Sequence, residues 1–517
     1  LHALFRSVIG SRTMHWVVLG GVLLFFLLLN LGSRGLNEPD EARYANISRA
    51  MIEGAGDWWV PRMSGFAHFD KPPLIYWTTA TALTLWGDSE TAARVPSLLG
   101  SILALTGIGW TAWRLYGTGT AWWTVLFCGT LGQFFVLSRM LTPDMLLTGF
   151  TTLGAGFWAE ARHRQGRGWW WWGCALAFAL AWWTKATAAL VPLLGLAVGL
   201  KLTGDDAGWK VLRPGRLILF VAAAGSPWYL DLMLREPELR DFFLGRELAG
   251  RVVRHPDGRK GPLYYHMAFS LVGWLPWWPA ALVLAFRERD RLLREIQLRR
   301  ARAVPLEGWV VLTGLTVFSL LSSKLVTYTL PYAPWVALWC VRILGGLSEP
   351  RWTPSRLRFV VRCAAAFLLL YIAAGFVLPR IETRLGLGSS VRTVGAFLRD
   401  HHAGEVYVDR YFPSLEQYFG EQVYYVKDQP PRQLTSDAGV CPGLGQSHFV
   451  TPNEAERRLA GHPGTDRWLI RYKGKSSSPL TRALTQLPVA EEIRLGDFVL
   501  DHLAASPSVS PADRAHL

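Results

Sequence analysis

The residues able to do chemistry fall into a few short groups: Asp40, Glu41, Arg43 and Tyr44; Asp70 with Lys71; Asp144; Lys185; Glu247 with Arg251; and Lys324 with Tyr328. They lie in connections at the ends of apolar blocks, and ionisable groups at membrane level are costly enough to suggest a functional cavity. Any one of them also reads as a solvated loop charge, Glu41 and Lys324 most readily. Taken together, carboxylates, cations and a tyrosine suit a lipid-linked phosphate that must be held and then released. Lys185 and Arg251 neutralise it, Arg through two parallel hydrogen bonds and Lys as a point charge, while Tyr328 adds a neutral donor. Asp40 stays outside that cluster, free to orient or deprotonate an incoming nucleophile.

The elements that must position these groups are membrane helices. Half of the 517 residues are hydrophobic, and they gather into blocks such as His15 to Leu31, Leu98 to Trp113, Leu217 to Leu234 and Phe359 to Leu378. Each block approaches the ~20 residues that a hydrocarbon core demands. The expected fold class is an all-α polytopic membrane protein with about eleven spans, at 14–33, 92–113, 121–138, 143–160, 169–184, 186–202, 216–234, 264–286, 306–322, 325–343 and 357–379, followed by a soluble α/β domain. The first block reads as a retained helix rather than a signal peptide. Many of the 26 Trp, Trp169 to Trp172 and Trp277 with Trp278 among them, read as anchors at the lipid headgroup level.

The net charge of +15 resides in short connections between blocks, among them Arg114, Arg162, Arg164, Arg167 and the run from Arg287 to Arg302. Basic connections orient membrane helices and place the N-terminus inside, which argues against nucleic acid as a partner. Of the five Cys only Cys441 falls outside the apolar blocks, so a structural disulfide is not expected. The opposite face then receives the long connections Arg34 to Thr91 and Arg235 to Leu263, and with them the chemistry-bearing residues. A helix opens at Pro39-Asp40-Glu41, with Pro at its start and acids in its first turn, and Ile47, Met51 and Ile52 line its apolar side. The expected domains are 1–379 in the membrane, 380–503 as an outer α/β domain with strands near 405–409, 422–426, 467–471 and 498–501, and a disordered tail from 504.

The strings Asp40-Glu41-Ala42-Arg43-Tyr44-Ala45, Gly56-Asp57-Trp58-Trp59-Val60-Pro61-Arg62, Phe69-Asp70-Lys71-Pro72-Pro73-Leu74 and Ala92-Ala93-Arg94-Val95-Pro96-Ser97 resemble the aminoarabinose transferase family. So do Thr142-Pro143-Asp144, Thr184-Lys185 and Ser323-Lys324-Leu325-Val326-Thr327-Tyr328, in the family's order. That family belongs to the GT-C membrane glycosyltransferases, alongside protein O-mannosyltransferases. The resemblance covers about residues 36 to 335. It implies an inverting transfer of a sugar from a polyprenyl (undecaprenyl) phosphate carrier to an envelope acceptor, usually lipid A, at the periplasmic face of a bacterial inner membrane. It further implies that Asp40 is the catalytic aspartate, that Lys71 and Asp144 shape the same cavity, and that Arg43, Lys185, Arg251 and Tyr328 contact the carrier phosphate. Glu41, Tyr44, Asp70 and Glu247 are left to shape the acceptor side.

Two departures from the family pattern bear on cofactors. Asp70 stands where the family often has Glu, and Arg246 where a metal-binding His can occur, so a divalent metal is left open with Asp70 as its candidate ligand. His68 and His266 read as structural. A protein or glycan hydroxyl is the alternative acceptor, and a transporter of the lipid-linked sugar is the rival from another class. Transporters favour midplane charges and repeated halves, whereas these charges lie at one face and no repeat is evident.

Overall fold

A computed structural model describes residues 12–37, 39–54, 57–64, 66–237, 239–250, 261–287, 289, 304–321, 323–345, 353–385, 390–408 and 412–419, together with short segments between 423 and 503. Its helices are α1 (Arg12–Leu28), α2 (Asp40–Ile52), α3 (Leu74–Trp86), α4 (Glu90–Tyr116), α5 (Thr118–Gly129), α6 (Gly132–Leu137), α7 (Pro143–His163), α8 (Trp170–Lys185) and α9 (Leu190–Thr203). They continue as α10 (Asp206–Leu212), α11 (Pro214–Gly225), α12 (Pro227–Arg235), α13 (Tyr265–Gly273), α14 (Trp277–Arg287), α15 (Leu306–Leu320), α16 (Ala333–Gly345), α17 (Pro354–Leu385), α18 (Ser390–Asp400) and α19 (Pro413–Phe419). A π-helical segment covers Asp241–Gly250, and 3₁₀ turns cover Ala186–Ala189 and Val326–Tyr332.

The contacts divide the chain into two compact units that interleave along the sequence: Leu1–Leu31, Asp70–Ile75 and Arg94–Ala374 in the first, Gly32–Phe69, Tyr76–Ala93 and Gly375–Leu517 in the second. The first is the membrane bundle. Its α4 and α7 touch backbone to backbone, because a Cβ on Gly149 would lie 2.5 Å from the Gly100 carbonyl oxygen and one on Gly107 2.5 Å from that of Thr152. Small residues are what permit such an approach in a bundle where burial from lipid supplies no hydrophobic drive. On α8, a Cβ at Gly173 would strike the Phe157 ring of α7 at 2.5 Å. Buried indoles tie the bundle by hydrogen bonds, Trp274 to Gln133 Oε1 at 3.0 Å and Trp277 to Thr130 Oγ1 at 2.8 Å. Trp277 is therefore a core residue with 0% exposure and not the interfacial anchor expected, whereas Trp169 and Trp172 do face outward.

Among the described residues, three helices are long and apolar enough to cross a membrane, Glu90–Tyr116, Trp170–Thr203 and Pro354–Ala374, or five with two bent pairs included. The difference from eleven apolar blocks lies in how the blocks fold. Helices such as α15, α16 and α5, of 15, 13 and 12 residues, stop short of the roughly 20 a straight span needs. The 34-residue run Trp170–Thr203 is not one rod. Trp171 near its start donates to Leu212 O beyond its end at 3.1 Å, so the chain doubles back at Ala186, where φ is 33°. A straight helix would hold those ends about 50 Å apart.

The arginines read as orientation signals also act as clamps. Glu160 of α7, 1% exposed, accepts from Arg164 at 2.6 Å, from Trp110 at 3.0 Å and from Arg114, while Arg162 grips Asp205 through two bonds of 2.6 and 3.2 Å.

In the second unit a six-stranded sheet runs in the order β5-β4-β3-β6-β8-β7, formed by β3 (Glu405–Val408), β4 (Val423–Val426), β5 (Phe449–Val450), β6 (Arg467–Tyr472), β7 (Val489–Leu495) and β8 (Phe498–Leu503). A hairpin of β1 (Arg62–Met63) and β2 (Phe66–Ala67) precedes it in the chain. Strands β5, β4, β3 and β6 are parallel, and β8 and β7 close the edge antiparallel. Alternation along β3 sends Val406 and Val408 into a core with Val394 and Leu398 of α18, and Tyr407 to the other face with Val426 and Leu469.

Candidate functional site

In the bundle, the antiparallel packing of α7 on α8 brings the first turn of one beside the last turn of the other. Asp144 sits in that first turn and Lys185 in that last turn, each where its charge complements the helix dipole. Their side chains meet, Lys185 Nζ donating to Asp144 Oδ1 at 2.5 Å, with both residues buried. The Lys185 ammonium also lies 4.9 Å from the centre of the Tyr328 ring, within reach of its π face. Tyr328 rides on the 3₁₀ turn Val326–Tyr332, which Gln133 holds by donating to Val326 O and to Thr329 Oγ1, both at 2.8 Å. Gln133 was not singled out from sequence; its signal was a lone amide within the apolar run of α6.

Lys324 is buried and not a solvated charge. Its ammonium donates to the carbonyls of Phe318 at 3.1 Å, Leu321 at 2.7 Å and Ser319, closing the C-terminal end of α15. Lys71, also buried, pairs with its neighbour Asp70 at 2.8 Å. The ion pairs formed are therefore Asp144 with Lys185 and Lys71 with Asp70.

In the second unit, α2 begins at Asp40 after Pro39. Asp40 forms an i,i+3 pair with Arg43 at 2.6 Å, leaving 53% of its own side chain exposed against 9% of that of Arg43. Glu41, expected in solvent, is wholly buried and accepts from the Asn37 backbone N–H at 3.0 Å, satisfying a donor at the helix start. Tyr44 packs 5.9 Å from Tyr76 between ring centres. Ile47 and Met51 are buried while Ile52 is 39% exposed.

The buried carboxylate of Glu416, on α19, fastens this segment to the sheet domain. Its Oε2 accepts from Asn46 Nδ2 at 2.8 Å and its Oε1 from Ser64 Oγ at 2.6 Å. Arg49 adds a bond to the Glu416 carbonyl at 3.3 Å. Nearby, Tyr418 accepts from the Leu36 N–H at 2.9 Å and reaches Glu90 at 3.2 Å, and burial raises its pKa, keeping it a neutral donor. Arg251 lies outside the described residues, and Glu247 and Arg246 fall in the π-helical segment without described side chains. Among the described residues no three His, Cys, Asp or Glu side chains gather to hold a metal. Asp70, the candidate ligand, has the Lys71 ammonium as its partner.

The chain's relatives bear on this geometry. Residues 70–225 match the family model of dolichyl-phosphate-mannose-protein mannosyltransferases. Undecaprenyl phosphate-α-4-amino-4-deoxy-L-arabinose arabinosyl transferases are similar in sequence. That of Enterobacter sp. (strain 638) is 31% identical over 65% of this chain and 60% of its own length; that of Erwinia tasmaniensis is 30% identical over 72% and 68%. The chain therefore spans about 60% to 68% of the length of these relatives. The crystal structure of ArnT from Cupriavidus metallidurans bound to undecaprenyl phosphate superposes with a TM-score of 0.71 at 22% identity, over 96% of this chain and 99% of that one. The fold is that of the ArnT-like GT-C membrane proteins.

Proposed function

Because the chain belongs to the family of undecaprenyl phosphate-aminoarabinose arabinosyl transferases, we propose that it transfers a sugar from an undecaprenyl phosphate carrier to lipid A or a related envelope lipid. The observation that carries this reading is the buried Asp144–Lys185 pair against Tyr328. A buried ion pair is seldom the most stable filling of such a space, and its retention fits a cation kept ready for an anionic ligand.

In the proposed reaction an acceptor oxygen forms a bond to the anomeric carbon while the bond from that carbon to the carrier phosphate oxygen breaks. The polyprenyl phosphate departs with the electron pair, and configuration at the carbon inverts. Phosphate is a good leaving group, so the step needs cationic stabilisation of the departing charge more than a general acid. Lys185 supplies that charge, Tyr328 walls the cation, and Arg43 and Arg251 are further phosphate contacts by the family pattern. Asp40 takes the proton of a hydroxyl acceptor or orients a phosphate acceptor. Lys71 with Asp70, and Glu41, Tyr44 and Glu247, shape the surroundings. The finer topology belongs to the same proposal: about eleven spans in a bacterial inner membrane, with the segment carrying Asp40 and the α/β region 380–503 on the periplasmic side.

The test is mass spectrometry of envelope lipids from cells expressing the wild type or Asp40→Asn. A glycosyl increment on lipid A that disappears in the variant supports the reading, and its mass names the sugar class. Full transfer by the variant sinks the role of Asp40, and no increment in the wild type removes lipid A as the acceptor.

A further inference from the structure

Buried polar groups in folded proteins nearly always find partners, and one left without costs more than an apolar atom in its place. In the bundle, His266 on α13 has 0% exposure, yet among the described residues neither Nδ1 nor Nε2 has a hydrogen-bond partner. Its ring lies against Tyr328, with centroids 6.1 Å apart and planes inclined by 30°. That same Tyr328 ring has the Lys185 ammonium 4.9 Å from its centre. Among the further hydroxyls buried without partners on the segments that build this site are Thr142 Oγ1 and Ser323 Oγ. Thr142 stands at the N-cap of α7, where a threonine ordinarily bonds its own helix, and makes no such bond. Both α7 and α13 pack on the 3₁₀ turn that carries Tyr328. The orphaned indole of Trp122 lies singly on α5, whereas His266, Thr142 and Ser323 sit on the segments around the Lys185 ammonium.

We propose that His266 is a further donor-binding residue, a neutral imidazole that gives a hydrogen bond to a phosphate oxygen of the lipid-linked sugar beside Lys185 and Tyr328. The hydroxyls of Thr142 and Ser323 complete the set. This rests on the reading that a lipid-linked phosphate occupies the site. The ligand chemistry follows from the neighbours: an acceptor-rich anion satisfies an N–H, two hydroxyls and an ammonium at once. The free protein carries the unsatisfied nitrogens as a standing cost that the ligand removes on arrival.

The experiment titrates undecaprenyl phosphate into the full chain in nanodiscs and records ligand-free thermal unfolding beside it. His266→Phe keeps the ring against Tyr328 and removes both nitrogens. The expected result is a Kd raised at least tenfold together with a ligand-free Tm equal to or above that of the wild type. His266→Asn, which retains a donor, should recover part of the affinity, and it serves as the measurement if the Phe variant does not fold. Wild-type Kd in both variants overturns the role of His266. A ligand-free Tm well below wild type in both overturns it too, because it marks a histidine already satisfied in the free protein. A wild type that binds no undecaprenyl phosphate overturns the donor reading itself, and this inference with it.

Discussion

Two regions of the molecule bury polar side chains to a similar depth and treat them in opposite ways. Around α2, Glu416 has both carboxylate oxygens occupied, by Ser64 and Asn46, and its carbonyl by Arg49. Around Tyr328, His266, Thr142 and Ser323 are buried with polar atoms that no described residue meets. The first arrangement is a completed network, whose worth is rigidity. The second is an incomplete one, and its cost makes sense only if something else completes it. Burial alone does not separate these two arrangements; the tally of partners does.

That contrast can be broken by mutation. Lys185→Met leaves Asp144 as a buried unpaired carboxylate and should cost about 3–5 kcal/mol, measured by thermal unfolding in detergent, with transfer abolished. The double change Asp144→Leu with Lys185→Met should regain most of that stability and remain inactive. A stable and active double variant would make the pair a mere clasp. Glu416→Ala strips partners from two buried groups at once and should cost roughly 2–4 kcal/mol. Faster proteolysis of the second unit is the readout, with activity falling through loss of that unit; an unchanged digestion pattern would remove the network from the structural side. Lys324→Met, which frees the carbonyls at the end of α15, should lower stability by about 1–2 kcal/mol, visible as a modest drop in Tm. Asp40→Asn should change stability by less than about 1 kcal/mol, because its pair with Arg43 is half solvated. Its effect should be confined to transfer, and a large Tm loss would place Asp40 with Glu416 instead.

Much of the local structure was legible from sequence. The start of α2 at Asp40 follows from Pro39 and the acids behind it, and β3, β4, β6 and β8 lie where short β-branched and aromatic runs sit between polar turns. What pairs with what was not legible, because it depends on distance along the chain. Asp144 and Lys185 are 41 residues apart and joined only by the packing of α7 on α8. Glu41 and Lys324 were read as solvated because a lone charge in a connection usually is, yet each is buried against backbone groups of its own helix end. Trp277 was read as interfacial from its neighbours, but its indole has Thr130 as partner and belongs inside. His266 looked like an ordinary structural histidine, since a missing partner leaves no mark in a sequence.

The bond between Asn46 and Glu416 joins residues 370 positions apart. At about 5–20 residues per second of synthesis, the helix carrying Asp40 waits roughly 20–70 s for the segment that fastens it. During that interval the bundle residues from Arg94 to Tyr328 have already emerged, so one of the earliest segments is locked only after most of the bundle has been made. A chain cut short before residue 413 would carry Asp144, Lys185 and Tyr328 but lack the carboxylate that secures α2, and such truncated products should accumulate as inactive, protease-sensitive species.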